Sequence, residues 1–261
     1  MAIRWGYCVK ASDAGRFKAA GWDYCEENIQ GLLQGTLPDA EWKGEAAAKA
    51  SVLPIPAANS MVPGSIKITG PDADPAKLKS YMTAVLARAD KIGMRTLVFG
   101  SGAARNYPDG FDRATAKKQI LDFLKIATPI AKQHNVTIVA EPLNRGESNI
   151  LNTVGEAMEY VKELNHPNFK CLVDSYHFWV EDEPLANLQA AMPSIKHVHV
   201  ADKVGRVAPG ESGQSDYRPF FQVLKAGKYD GLISVEALDT DKTVGKEKKI
   251  LDFLKGQWNE A

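Results

Sequence analysis

The sequence predicts an α/β fold, a (β/α)8 TIM barrel that forms a single domain over residues 1–261. Short apolar runs alternate with longer amphipathic segments from end to end, as buried parallel strands alternate with helices in a barrel. There are eight such runs, and no linker, low-complexity segment or shift in composition divides the chain. Alternation alone would also allow an open, doubly wound sheet. The count of eight and the residues at the strand ends favour the closed barrel.

Several of the runs are rich in β-branched residues and too short to be helices, which predicts buried strands. The predicted strands are 3–8, 23–27, 52–57, 95–100, 136–141, 169–174, 195–200 and 232–236. The helices between them begin and end at recognisable residues. Asp74 caps and Pro75 opens a helix that runs to about Ile92, and Gly93 is placed to stop it.

Three further helices are predicted after residue 111. The segment 112–134 has apolar residues at helical spacing, although Pro129 predicts a kink. Thr153 and Glu156 have the spacing of a capping box, which predicts a helix start at this position. The last helix is predicted over 241–257.

Composition excludes several classes of protein. Lys+Arg and Asp+Glu both count 32, so no global basic field is available to bind nucleic acid or an anionic membrane. No apolar stretch approaches the ~20 residues that span a bilayer. The three cysteines, Cys8, Cys25 and Cys171, are widely spaced and lie in or beside apolar runs, which predicts reduced thiols. The N-terminal stretch is too polar for a signal peptide, so we expect a cytoplasmic protein.

Four consecutive predicted strands end in an acidic residue or a histidine. Glu141 opens the octet EPLNRGES after one strand, and Asp174, His199 and Glu236 lie at the ends of the next three. Successive separations of 33, 25 and 37 positions are each about one strand–helix unit, so the side chains should meet at the carboxyl pole of the barrel. A single acidic residue there is more often a helix cap or loop residue, but four in succession are difficult to dismiss.

Three carboxylates and an imidazole at one pole would repel each other unless a cation lay among them. Mixed oxygen and nitrogen ligands suit Mn²⁺, Mg²⁺ or Co²⁺, and they make a structural zinc site of the thiolate type a poor fit. The strand ends therefore predict a site for one divalent metal ion.

Four motifs together resemble one family. They are EPLNRGE (141–147), DSYH (174–177), HVH (197–199) and SVE (234–236). In this combination the chain resembles the xylose isomerase-like barrel superfamily, and within it the ketose 3-epimerases of tagatose or psicose type and the hydroxypyruvate isomerases. The match extends over essentially the whole chain, although the specific motifs lie in its second half.

The resemblance implies that Glu141, Asp174, His199 and Glu236 bind one divalent metal, whose identity stays open. It implies a sugar isomerase or epimerase that acts on a ketose or related keto-sugar. In that family the metal stabilises an enediolate, and the two glutamates matching Glu141 and Glu236 remove and return the proton. Return on the opposite face gives an epimer, and return at the neighbouring carbon gives an isomer.

The resemblance also makes His177, Glu147 and Arg206 contacts to substrate oxygens. Tyr7 lies near a predicted strand end and is expected to contribute to an apolar wall of the site. Arg206 follows His199 by seven positions, whereas six is typical of the ketose epimerases. That spacing is closer to the hydroxypyruvate isomerases, which usually have glutamine in place of His199. The sequence therefore leaves the substrate open between the two branches.

Two further polar residues, Glu26 and His197, lie near the predicted metal ligands. Glu26, at the end of the second strand, could touch substrate or belong to the core. His197 shares the inward side of its strand with His199 but lies deeper, so we expect a hydrogen-bonded core histidine.

GSGAAR (100–105) lacks the third glycine of a dinucleotide fingerprint and is interpreted as a tight turn.

Other functions stay open or are disfavoured. A lyase that removes water or an alcohol from a keto-sugar or inosose would need the same metal and base. A non-catalytic sugar-binding barrel would be expected to lose one of the two glutamates, and both are present. An abasic-site endonuclease on this barrel needs three zinc ions and many histidines, but none occurs before His134. We therefore expect a small-molecule partner and no nucleic acid, and a homo-oligomer stays open.

Overall fold

The closed barrel is visible in the strand order. A computed structural model describes residues 3–238 and 245–261. In the described residues eight parallel strands pair in chain order, and the last pairs with the first. They are β1 Arg4–Cys8, β2 Tyr24–Asn28, β3 Ala57–Asn59, β4 Thr96–Phe99, β5 Thr137–Ala140, β6 Phe169–Asp174, β7 Ile195–Val200 and β8 Leu232–Val235. The predicted (β/α)8 barrel is confirmed.

Helices surround the barrel and fill the connections between strands. They are α1 Ala14–Ala19, α2 Ile29–Leu32, α3 Gly44–Ala50, α4 Pro75–Lys91, α5 Gly102–Arg105, α6 Arg113–Gln133, α7 Val154–Leu164, α8 Ser175–Val180, α9 Leu185–Ala191, α10 Arg218–Ala226 and α11 Lys246–Glu260. Within the described ranges, none of these helices is both long enough and apolar enough to cross a membrane.

The predicted helix starts are formed by side-chain caps. Asp74 accepts hydrogen bonds from the backbone of the first turn of α4, and Gly93 has the positive φ of +77° that suits a glycine after a helix. Thr153 accepts from the backbone N–H of Glu156 at the start of α7. The Glu156 carboxylate accepts from the N–H of Asn152, one residue before the cap, so the capping box is shifted by one position.

Most strand bounds agree with the predicted ones to within one residue at each end, and β3 is the exception. It was predicted over 52–57 and forms over Ala57–Asn59. Pro54 and Pro56 have no N–H to donate to a ladder, which explains why the regular strand begins only after them. The carbonyl of Pro54 accepts from Cys25, and that of Pro56 accepts from Arg95.

Two predicted helices differ from the observed ones in detail. The helix predicted over 112–134 forms as α6 and continues past Pro129 without interruption. The helix predicted over 241–257 is described from Lys246 to Glu260, and residues 241–244 lie outside the described residues.

Side chains of each strand alternate between the barrel interior and the surrounding helices. On β1, Trp5 packs edge-on against Phe221 and Trp258 in the outer layer, with ring centroids 6.1 Å apart in both cases. Gly6, the next residue, lies against the ring of Tyr24 inside the barrel, where an added Cβ would come within 2.1 Å of that ring. The barrel interior is therefore a packed core at this level.

Candidate active site

Four side chains converge at the carboxyl pole of the barrel. Asp174 ends β6, His199 lies in β7 opposite Asp174, and Glu141 and Glu236 follow β5 and β8 directly. One ligand atom from each of the four lies within 4.8 Å of the others. Parallel strands in register carry their last residues to the same height, which explains why residues far apart in sequence meet. The structure thus brings the four predicted metal ligands together.

The electrostatics of this group suit a cation. Asp174 is 2% exposed, and its Oδ2 is buried without a hydrogen-bond partner. Burial raises the pKa of Asp174 to about 6, with Arg206 opposing the shift and Glu236 adding to it. Burial and the neighbouring Glu236 also raise the pKa of Glu141. A divalent ion among these oxygens would satisfy the unpartnered atom and stabilise the charged carboxylates, and the oxygen-rich donor set suits Mn²⁺, Mg²⁺ or Co²⁺.

Glu236 differs from the other two carboxylates because cations and donors surround it. Asn59, the last residue of β3, donates from Nδ2 to Oε1 at 2.6 Å, and Arg206 donates to Oε2 at 2.7 Å. Burial alone would raise the pKa of Glu236, but His199 and Arg206 outweigh it and lower the pKa to about 2. Glu236 is thereby held as a carboxylate. Asn59 had no distinguishing signal in the sequence.

His199 contacts a carboxylate on each side of its ring. Nδ1 lies 2.9 Å from Glu141 Oε1 and 3.6 Å from Glu236 Oε2, and Nε2 lies 3.0 Å from Glu26 Oε1. Burial would lower the pKa of His199, but the charges of these glutamates raise it well above its usual value. Glu26 is 1% exposed and lies beneath the histidine. Of the two roles left open for Glu26, this position favours the core over a contact with substrate.

A second group of potential ligands shares His199. Cys8, Glu26 and His199 also bring ligand atoms within 4.8 Å of one another. The oxygens of Glu26 already accept three hydrogen bonds, from His197, His199 and Ser234. We therefore interpret this deeper group as a hydrogen-bonded support of the site.

His177 presents a ring N–H group to the proposed site. Its Nδ1 accepts a hydrogen bond from the backbone N–H of Asn144 at 3.1 Å and lies 2.9 Å from Asn144 Nδ2. Burial lowers the pKa of His177, so the ring is neutral and Nε2 carries its proton. This Nε2 is buried without a partner, 3.9 Å from Asp174 Oδ2. Asn144, inside the octet that begins at Glu141, orients the ring and was missed as a functional residue.

Arg206 bridges the rim and the centre of the site. Besides Glu236, its guanidinium contacts Glu147 at 3.1 and 3.2 Å and lies over the ring of Tyr176, with Cζ 5.0 Å from the centroid. The backbone of Arg206 has a positive φ of +51°, in a loop that is tied to Asp202 through several hydrogen bonds. Of the predicted substrate contacts, Glu147 and Arg206 therefore line one space, and His177 lies beside Asp174 of the metal-ligand group.

That space is a cavity of about 360 Å³ at the carboxyl pole, and its walls include Gly100, Glu141, Glu147, Arg206 and Glu236. Gly100 follows β4 and faces the Glu141 carboxylate. A Cβ at this position would lie 2.3 Å from Glu141 Oε2. The absence of a side chain at Gly100 is therefore what leaves room for Glu141 to take its observed position.

The predicted role of Tyr7 is corrected by the structure. Its ring packs against Phe17 and Trp22 in the helical layer, with centroids 4.5 and 5.3 Å away. Alternation along β1 points Tyr7 outward and the next residue, Cys8, toward Glu26 and His199. The sequence placed Tyr7 near the correct strand end but did not fix the face of the strand.

The comparison with known families agrees with this geometry. Residues 15–256 match a family model described as a xylose isomerase-like TIM barrel. The chain belongs to this family. The resemblance inferred from the strand-end motifs is thereby confirmed.

Curated relatives of this xylose isomerase-like barrel are named as epimerases and isomerases. A putative hydroxypyruvate isomerase of Mus musculus is 29% identical over 164 residues, which cover 60% of this chain and 58% of that protein. A 3-dehydro-D-guloside 4-epimerase of Escherichia coli is 31% identical over 121 residues, 46% of this chain and 45% of that protein. A D-psicose 3-epimerase of Agrobacterium fabrum is 24% identical over 185 residues, 68% of this chain and 62% of that protein. The matched segments thus span less than two thirds of these relatives.

Solved structures show the same fold over nearly the whole chain. The 3-keto-D-glucoside 4-epimerase of E. coli superposes with a TM-score of 0.80 at 22% identity, covering 97% of this chain and 99% of that one. The D-allulose 3-epimerase of Methylomonas sp. gives a TM-score of 0.80 at 23% identity, covering 98% of this chain and 100% of that one. At these identities the likeness establishes the barrel, and the function has to be argued from the site.

Proposed function

We propose that this barrel is a divalent-metal-dependent epimerase or isomerase of a ketose or related keto-sugar. One observation carries the proposal: Glu141, Asp174, His199 and Glu236 present ligand atoms within 4.8 Å of one another. The unpartnered Oδ2 of Asp174 supports a cation there. The names of the relatives, which include D-psicose 3-epimerase and L-ribulose 3-epimerase, support the class of substrate.

The four residues would hold the ion, and the cavity beside them would hold the sugar. When bound, a divalent cation would supply Lewis-acid chemistry that makes the C–H group beside the ketose carbonyl acidic. His177 donates from its unpartnered Nε2 to a substrate oxygen, because Asn144 already occupies Nδ1. Arg206 and Glu147 orient further hydroxyl groups at the rim.

Glu141 and Glu236 serve as the acid and base. They follow β5 and β8 and therefore approach the substrate from different sides of the barrel. One carboxylate takes the proton from the carbon beside the carbonyl, and the other delivers a proton to the product. Delivery to the opposite face of that carbon gives an epimer. Delivery to the former carbonyl carbon gives an isomer, in which the proton of the adjacent hydroxyl group also passes to the former carbonyl oxygen. Asn59 and Arg206 fix the orientation of Glu236 for this transfer.

A hydroxypyruvate isomerase is the second candidate. The mouse and human relatives are both named as putative enzymes of that kind, at 29% and 26% identity. The same residues would act in the same roles, because that reaction also begins with removal of a proton next to a carbonyl. The two candidates differ in substrate and share the site.

Proton exchange in D₂O tests the proposal. The protein is loaded with Mn²⁺ or stripped with a chelator and incubated with ketoses, hydroxypyruvate and 3-keto-glycosides, and the products are analysed by NMR. We expect deuterium next to the carbonyl of one substrate, with the carbon skeleton retained, and loss of exchange on chelation. Loss of water or of an aglycone would indicate a lyase instead. No exchange with any compound would overturn the proposal.

A further inference from the structure

Beneath the proposed metal ligands lies a buried carboxylate that the proposed reaction does not use. The Oε2 of Glu26 accepts from Ser234 Oγ at 2.6 Å and lies 2.7 Å from His197 Nε2, and its Oε1 lies 3.0 Å from His199 Nε2. Tyr24 OH lies 2.7 Å from Ser234 Oγ and extends the network. All of these groups are buried in the barrel interior.

The donors and acceptors in this network can be assigned by elimination. An ionised carboxylate can only accept hydrogen bonds, so each group that faces Glu26 must donate. His199 must therefore carry a proton at Nε2, and so must His197. With Nε2 committed to Glu26, the Nδ1 of His199 is the atom that faces Glu141 and Glu236.

We propose that Glu26 is a positioning residue that fixes both the ring orientation and the protonated nitrogen of His199, so that Nδ1 is presented to a divalent ion. This inference rests on the proposed function in so far as an ion binds to the strand-end group. A carboxylate that accepts the second N–H of a ligating histidine raises the basicity of the ligand and prevents rotation of its ring. Ser234 and His197 hold Glu26 in place for this role.

Glu26→Gln is the variant that tests the role. It keeps the size of the side chain, but its NH₂ group must face at least one of the three donors. His199 can relieve this conflict by accepting at Nε2, which leaves its remaining proton at Nδ1 and blocks the nitrogen that would bind the metal. We expect Mn²⁺ to bind about 10–100-fold more weakly, as is typical for loss of a second-layer partner.

Glu183→Gln is a matched control. Glu183 is also a buried carboxylate that accepts three hydrogen bonds, from the backbone of Val154 and Gly155 and from Asn187 Nδ2. It accepts from the first turn of α7 and lies outside the proposed site. We expect this variant to lose thermal stability while Mn²⁺ affinity, measured by titration calorimetry, stays at the wild-type value.

A second measurement does not require any metal. In ¹H–¹⁵N NMR of the metal-free protein, the Nε2–H of His199 should be protected from exchange in the wild type and in Glu183→Gln, and should lose that protection in Glu26→Gln. If Glu26→Gln does not fold, Glu26→Asp retains the charge but shortens the reach, and it should show the same two changes in weaker form.

The outcomes separate this inference from the proposed function. If Glu26→Gln binds Mn²⁺ as the control does and keeps the protected Nε2–H, the positioning role is overturned. If wild type binds no divalent ion, the proposed function fails. In that case loss of the Nε2–H protection in Glu26→Gln would still support the assigned hydrogen bond, and its persistence would overturn it.

Discussion

The two halves of the barrel contribute to the same site in different ways. The ends of β5 to β8 carry the charged groups, which are Glu141, Asp174, His199 and Glu236. The ends of β1 to β4 place no residue in that group. They provide Glu26, which contacts His199, and Asn59, which donates a hydrogen bond to Glu236. They also provide Gly100, whose missing side chain leaves room for Glu141. The second half therefore holds the proposed chemistry, and the first half fixes its geometry.

The largest expected effect of a substitution lies in the second half. Glu141→Gln and Glu236→Gln each remove a carboxylate that would accept a proton, while the size of the side chain is kept. We expect either change to lower the rate of deuterium exchange by about 10²–10⁴-fold, the usual contribution of a positioned acid or base. The rate is measured on the substrate found in the D₂O panel.

Glu159→Gln is the control for this pair, because Glu159 is exposed on α7 and pairs with Lys117 at the surface. It should leave the exchange rate unchanged. If Glu236→Gln exchanges deuterium at the wild-type rate, Glu236 takes no part in the proton transfer. The same conclusion would apply separately to Glu141.

The difference between the halves also explains what the sequence could predict. The charged residues of the second half could be recognised because residue type and strand spacing both mark them, and β6 and β7 even have their predicted bounds. Their roles as ligands stay a prediction. Asn59 could not be recognised, because an amide after a proline-rich segment has many ordinary uses and β3 itself was misplaced. Its function depends on a contact with Glu236, 177 positions away.

Gly100 and Tyr7 are two further positions whose roles the sequence could not predict. Gly100 matters because it has no Cβ. This requirement becomes apparent only when the position of the Glu141 carboxylate is known. The error at Tyr7 came from the face of β1, because a strand buried on both sides lacks the polar alternation that would mark its inward residues. Neighbouring residue types could not decide between Tyr7 and Cys8.

The next largest effect concerns stability and links the two halves. Arg105 of α5 is fully buried and donates to the carbonyls of Phe99, Glu141 and Leu151. Burial lowers the pKa of Arg105 to about 10, yet the guanidinium stays charged at neutral pH. Arg105→Lys keeps a charge but leaves carbonyls without donors, so we expect a loss of about 2–4 kcal/mol in unfolding free energy.

Urea unfolding measures this loss, and Arg113→Lys is the matched control. Arg113 is exposed and contacts Glu156 at the surface, so its replacement should change stability by no more than about 0.5 kcal/mol. Equal stability of the two variants would show that the buried arginine does not hold the start of the Glu141 loop.

Gly100→Ala tests whether the first half of the barrel fixes the position of the Glu141 carboxylate. The added methyl group would lie 2.3 Å from Glu141 Oε2, so the carboxylate must move away from its observed position. A displacement of about 1 Å in a reacting group can cost about 10²-fold in rate, and we expect a loss of about 10–100-fold in exchange. Gly256→Ala is the control, because nothing lies within 4 Å of a Cβ there. If both variants keep full activity, the close packing at Gly100 does not constrain Glu141.

The smallest effect is expected at Cys8, and it decides how the first half supports His199. Cys8 lies beside Glu26 and His199, and a thiolate there could in principle bind a soft metal ion. Burial and the charge of Glu26 raise the pKa of the Cys8 thiol, which keeps it protonated and a poor ligand. Cys8→Ala should therefore leave Mn²⁺ affinity unchanged and cost at most about 1 kcal/mol in stability. A loss of about tenfold or more in Mn²⁺ affinity, ~1.4 kcal/mol, would instead make Cys8 a ligand and move the ion toward the first half of the barrel.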